Sequence, residues 1–174
     1  INAGVAGLVC AFVLGKRLGY GHDNMSPFNL SLAVIGASLL WVGWFGFNAG
    51  SALTAGGRAG MAMLVTHLSA SAGALAWMTM EWLRHGKPSM LGTVTGMVAG
   101  LGTITPASGS VGPAAAVLIG LTAGVVCYFA TMYLKHKLRV DDSLDVFPVH
   151  GVGGILGTLL VGVFASDQLG IFSG

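Results

Sequence analysis

Charge is what this 174-residue chain has least of: Asp, Glu, Lys and Arg together make up 8%, against roughly 25% in a soluble domain. With 54% hydrophobic residues and a mean hydropathy of +0.81, so few charges exclude water as the principal solvent. The net charge of +2 is small and dispersed, which excludes the clustered cations of a nucleic-acid interface. Cysteine is scarce too. Cys10 and Cys127 lie in apolar runs without CxxC or metal-ligand spacing, so both read as small packing residues and no metal is implied. A signal peptide is also missing. The chain opens on "INAGVAGLVCAFVLG", the inside of an apolar helix with no polar flank or cap before it, and the expectation is therefore a fragment.

Glycine, by contrast, is abundant. There are 29, where average usage is about 7%, and glycine in apolar runs suits helices whose backbones approach closely. Six apolar segments stand out, at 1–15, 30–50, 60–82, 89–107, 112–134 and 145–165. All but the first approach the roughly 20 residues that a bilayer core requires. The expected fold class is all-α: a polytopic transmembrane helical bundle, one domain over 1–174 with short loops and no linker. Lys16 and Arg17 follow the first segment, Arg84 and Lys87 the third, and Lys135, Lys137 and Arg139 the fifth, whereas the alternate loops hold Arg58 alone. The positive-inside rule makes the first set cytoplasmic, so the first segment runs inward and the last outward.

Two of these oppositely directed segments echo each other. Setting "NAGVAG" (2–7) over "VGGILG" (152–157) places Ala3, Gly4 and Gly7 on Gly153, Gly154 and Gly157, an offset of 150. Opposed copies of one helix type are what an inverted-topology repeat produces; chance matching of small residues is the alternative. At that offset His150 pairs with the position before Ile1, where a histidine is expected if the echo is real.

Two stretches hold candidate chemistry. In "WVGWFGFNAGSA" (41–52), Trp44, Phe47, Asn48 and Ser51 stand at i, i+3, i+4 and i+7 and should share one helical face. An aromatic face below a hydroxyl suits a small cation or small polar molecule, since rings attract cations and a hydroxyl replaces a lost water. The structural alternative is a packing stripe with interhelical glue. In "DVFPVHGVGGILG" (145–157), His150 is an ionisable residue at membrane depth, a functional candidate by default; a neutral, hydrogen-bonded core histidine is the alternative. Pro148 lacks a donor and restrains Val149 away from helix. The helix is thus expected to begin near His150, after an extended entry in which Asp145 favours its positive end.

Other polar residues read structurally. His22, His85 and His136 fall in cytoplasmic loops as solvated surface, and His67, in "VTHLSASAG", reads as a packed, hydrogen-bonded histidine. Thr105, Pro106 and Ser108 in "TITPASGSVG" suit a helix end whose hydroxyls meet free carbonyls, and "HKLRVDDSLD" suits a solvated turn.

At "WFGFNAGSA" (44–52), "THLSASAGALAWMTMEW" (66–82), "GLGTITPASG" (100–109), "RVDDSLDVFPVHGVGG" (139–154) and "INAGVAGLV" (1–9) the chain closely resembles the ammonium transporter (Amt/Mep/Rh) family, in collinear order and nearest its bacterial-type Amt branch. The resemblance implies an eleven-helix fold with helices one to five and six to ten as inverted repeats, of which this chain resembles helices five to ten. It also implies a homotrimer, each protomer with its own pore, as a multi-pass protein of the cytoplasmic (inner or plasma) membrane. Ser51 matches the serine of an outer ammonium-recruitment site, and Phe47 one ring of a paired gate. Trp44 matches a pore-lining tryptophan, with Leu40 and Val146 at apolar wall positions and Thr105 near the outer vestibule. Asn48 belongs to the same run. His150 matches the second member of a twin-histidine pair, and Pro148 departs from the glycine common in that motif.

The implied course begins with ammonium recruited between rings and a hydroxyl, which offsets part of its lost hydration. Loss of a proton follows, since neutral ammonia tolerates an apolar wall, and imidazoles then guide it past. Potassium has no proton to lose. No cofactor is implied and the protein is not expected to be an enzyme; a PII-type regulator on the cytoplasmic face is the partner to consider. An ammonium sensor on the same scaffold is the first alternative. A rhomboid-type serine protease could recruit "PASG" and "HGVGGILG", but Pro106 replaces its first glycine. Ser108 and His150 should also lie at different depths, beyond the roughly 3 Å a nucleophile and base need. Haem ligation by His67 and His150 meets the same depth objection.

Overall fold

The computed structural model describes residues 1–166. Every regular element among them is helical, as the apolar periodicity and composition require. Six helices follow in order: α1 Asn2–Leu14, α2 Leu30–Gly50, α3 Gly57–His85, α4 Met90–Ile104, α5 Pro113–Met132 and α6 Gly153–Phe164. Wider π-helical turns extend two of them, Tyr133–Lys137 after α5 and Phe147–Val152 before α6. The helices α2 and α3, together with α5 and α6 extended by their π turns, are long and apolar enough to cross a membrane. α1 and α4 are shorter apolar helices, so the fourth segment ends as α-helix at Ile104, earlier than the expected 107.

Local chemistry sets the ends. Asn29 caps α2 by accepting from the Leu32 amide at 2.9 Å, and Ser89 caps α4 through the Gly92 amide at 2.9 Å, each satisfying one donor that the first turn leaves open. Glu81 braces that tight α3–α4 connection by accepting from the Ser89 amide at 2.6 Å and its hydroxyl at 3.0 Å. Gly86, at φ 74°, closes α3 in the left-handed conformation that glycine adopts without a Cβ penalty.

The core forms around α3. A Cβ on Gly73 would lie 2.5 Å from the Gly96 carbonyl oxygen, and one on Gly124 would lie 2.6 Å from the Gly73 carbonyl oxygen. Glycine therefore lets α4 and α5 come to backbone contact with α3, the close packing that replaces hydrophobic drive inside a bilayer. The Ser69 hydroxyl adds an interhelical bond to the Gly100 carbonyl at 2.9 Å. One apolar cluster gathers Val65, Ile104, Val111 and Ile119, another Trp77, Cys127, Tyr128 and Val149, and a third Ala37, Ala70, Met97 and Leu101.

The α1–α2 and α5–α6 connections meet at one end of the bundle. Arg17 forks onto Asp141, at 2.7 Å from Nη2 to Oδ1 and 2.9 Å from Nε to Oδ2, and its amide donates to Oδ2 at 2.8 Å. The Tyr20 hydroxyl donates to the Val140 carbonyl at 3.2 Å. At the other end, the Ser166 amide donates to the Ser110 carbonyl at 2.9 Å, joining the end of α6 to the α4–α5 connection. The "DD" run is thus a structural tie, not the freely solvated turn the sequence suggested.

Candidate functional site

Three elements converge on one aromatic centre. α2 supplies Trp44, the end of α4 supplies Thr105, and the π-helical turn before α6 supplies His150. The Trp44 indole Nε1–H donates to Thr105 Oγ1 at 2.7 Å, and that hydroxyl donates to the Leu101 carbonyl, also at 2.7 Å. The Trp44 and His150 rings stack nearly parallel, 9° apart with centroids separated by 6.4 Å. Phe47 meets Trp44 edge-on at 6.4 Å. Trp44 and His150 are both half-buried.

The helix carrying His150 starts earlier than expected. Helical geometry already holds at Val146, and the Val146 and Phe147 amides donate to the Asp142 carboxylate at 3.0 and 2.7 Å. Asp142, not Asp145, is therefore the cap. Pro148 stands within the first turn, where an absent amide proton costs nothing, so Val149 is helical and donates to the Asp145 carbonyl at 3.1 Å. Asp145 itself takes φ 55° and binds Lys135 Nζ at 2.8 Å. An aspartate shortly before an apolar run is an N-cap signal; the competing weight given to proline hid it.

The remaining candidates scatter about this centre. Phe47 is 62% exposed and Leu40 53%; both line an open apolar depression of about 540 Å³ with Gly36, Leu39, Gly43 and Trp44. The Ser51 hydroxyl is exposed and donates to the Phe47 carbonyl at 2.6 Å. Asn48 leaves the expected common face. It is 5% exposed and donates through Nδ2 to Thr66 Oγ1 at 3.0 Å, because a polar amide facing α3 finds a partner that the apolar face lacks. Val146 sits against Gly7 of α1, where a Cβ would meet its Cγ1 at 2.6 Å.

His67 is a correction. It is exposed and lies against Trp41 and Phe45 at centroid distances of 5.2 and 6.0 Å, a surface aromatic contact where a packed histidine was expected. His85 is exposed, as expected of a surface histidine, and its Nε2 pairs with the Tyr128 hydroxyl at 3.1 Å. Ser108 donates to the Thr105 carbonyl at 3.3 Å, which agrees with a helix-end hydroxyl.

The echoed segments touch. Gly4 packs on Gly151 so tightly that a Cβ would collide with its backbone, and a Cβ on Gly154 would lie 3.0 Å from the Ile1 nitrogen. Under the 150-residue offset these are one contact written twice, 4 with 151 and 154 with 1. Both pairs sum to 155, the register of any close antiparallel crossing, so glycine at these positions serves the backbone approach of α1 to the turn before α6.

Apolar helices packed through glycine, four of them long and apolar enough to cross a bilayer, define a multi-pass helical membrane protein. The chain belongs to the ammonium transporter family. The sequence model described as Ammonium Transporter Family matches residues 1–173. A putative ammonium transporter of Methanothermobacter thermautotrophicus is 52% identical over 169 residues, covering 97% of this chain and 41% of its own length. The crystal structure of Saccharomyces cerevisiae Mep2 superposes with a TM-score of 0.89 at 41% identity, covering 98% of this chain and 38% of that one. A structure titled Sensor Amt Protein superposes with a TM-score of 0.89 at 31% identity, over 98% of this chain and 44% of that one. The chain thus spans about two-fifths of the length of these relatives.

Proposed function

We propose that this chain supplies pore residues of a protein that moves ammonium across the cytoplasmic membrane. The observation carrying this reading is the parallel Trp44–His150 stack, in which the indole that lines the apolar depression with Leu40 and Phe47 also faces an imidazole at membrane depth. The Ser51 hydroxyl spends its proton on the Phe47 carbonyl, so its lone pairs remain available to an arriving cation. Phe47 and Trp44 stand below it as aromatic faces. Below them ammonium hands its proton to a free ring nitrogen of the His150 imidazole, and the neutral ammonia left passes the apolar wall at little desolvation cost. His150 then exchanges hydrogen bonds with it, together with a second imidazole expected before Ile1; the packing of Gly4 on Gly151 brings the start of α1 beside His150. Val146 and Thr105 complete the wall, and Asn48 supports it from behind. The unit is a homotrimer, and the basic connections around Lys16 and Lys135 are the face for a PII-type regulator.

The test is His150→Ala in the complete reading frame, read as ammonium-elicited current and methylammonium uptake in proteoliposomes. Conduction should be lost, or its exclusion of potassium should fail. Unchanged current and selectivity would refute the role. The likeness to a solved sensor protein favours a second reading, in which ligand occupancy matters more than flux. Saturable ammonium binding without any uptake would select it.

A further inference from the structure

We infer that Thr105 is a positioning residue that sets the plane of His150 through Trp44, and is not itself a ligand of the permeating species. The inference rests on the reading of His150 given above. The proton of the Thr105 hydroxyl and one of its two lone pairs are committed. Its proton goes to the Leu101 carbonyl at 2.7 Å, which aims a lone pair at the indole N–H of Trp44, also at 2.7 Å. An indole has one donor and no acceptor, so that bond fixes the ring's rotation about its own attachment to α2. The imidazole lies 9° from parallel to it. Donor and acceptor directions of an imidazole lie in its ring plane. A tilt of Trp44 therefore turns the hydrogen bonds that His150 can offer out of line.

Thr105 is well placed for this. It sits at the carboxyl end of α4, one residue before Pro106, and its χ1 is held by the hydroxyl bond to the preceding turn. Trp44 and Thr105, 61 residues apart in sequence, are thereby tied together, with the His150 ring parallel to the indole. A valine at 105 would keep the shape and remove the acceptor, and a serine would keep the acceptor.

The experiment compares Thr105→Val with Thr105→Ser in the complete protein. Two readouts are taken: methylammonium uptake, and the indole ¹⁵N–¹H resonance of Trp44 assigned by Trp44→Phe. Thr105→Val should move that resonance upfield and lower maximal uptake by about tenfold, the scale of a small misplacement. The half-saturating concentration should not change. Thr105→Ser should restore both signals. The inference is overturned if Thr105→Val leaves uptake at the wild-type level. It is equally overturned if serine and valine lose activity alike, or if half-saturation rises while maximal uptake holds, which would mark a direct ligand. Should His150→Ala leave conduction intact, the functional reading falls and the inference with it. Should His150→Ala abolish conduction while Thr105→Val does not reduce it, the inference alone falls.

Discussion

Replacing Gly73 by alanine adds one methyl group where α3 meets α4. That carbon would lie 2.5 Å from the Gly96 carbonyl oxygen and 3.0 Å from both Cα and N of Gly100. All three obstacles are backbone, so no side chain can rotate away. Reaching the 3.4 Å at which ordinary contact begins requires the helices to part by about 0.9 Å locally. Overpacking of this kind costs about 1–3 kcal/mol, and rigid obstacles place it toward the upper end. Alanine returns about 1 kcal/mol of helix propensity. The net expectation is a loss of about 1–2 kcal/mol, or about 2–8 °C in melting temperature on the scale of a 150–250-residue protein. Gly60→Ala is the control, since a Cβ there meets nothing within 4 Å, and it should hold or raise the melting temperature. Thermal unfolding of the detergent-solubilised complete protein, followed by circular dichroism, reads both variants. A Gly73→Ala protein melting at or above wild type would refute the claim that glycine is required for backbone approach at this interface.

The other perturbations act at the end of the bundle that carries the basic loops. Hydrogen bonds from the Arg17 side chain hold the Asp141 carboxyl below its usual range, ahead of the opposing effect of its burial. A depressed folded value means that this tie stabilises fully above the unfolded carboxylate range, about pH 4, and is lost as pH falls through the folded value. The difference in melting temperature between wild type and Asp141→Asn should therefore stay constant from pH 8 to 5 and shrink in stronger acid; a difference that instead vanished between pH 7 and 6 would assign the tie to another group. Asp142→Ala removes both acceptors at the start of the His150 helix and should cost about 1 kcal/mol, with a reach up to 2. Faster amide exchange at Val146 and Phe147 is the accompanying signature, and unchanged exchange would show that the carboxylate is not the cap.

Much of the architecture follows from one-dimensional facts. Apolar runs long enough for a bilayer leave helix as the local solution for nearly every backbone group, so the helical class was legible. Glycine excess announced close approach, though not which segments cross. What failed was local competition among signals. Proline at 148 was weighted as a helix breaker, although in the first turn it breaks no bond, and the Asp142 carboxylate that starts the helix was passed over. Asn48 illustrates a different limit. Helical spacing groups it with Trp44 and Phe47, but a four-residue window spans a wide arc, and only the position of Thr66 on α3 decides that the amide turns inward.

By itself, then, the sequence determined that this is a membrane-embedded helical protein, and through its motifs to which family it belongs. Solvent preference and helix periodicity are local properties, summed along the chain. Only the tertiary structure decided that the Trp44 indole hangs from Thr105, that the His150 ring stands parallel to it, and that Arg17 closes on Asp141 across 124 residues. Such pairings depend on how far helices rotate and slide when glycine lets their backbones meet, and no sequence window contains both partners.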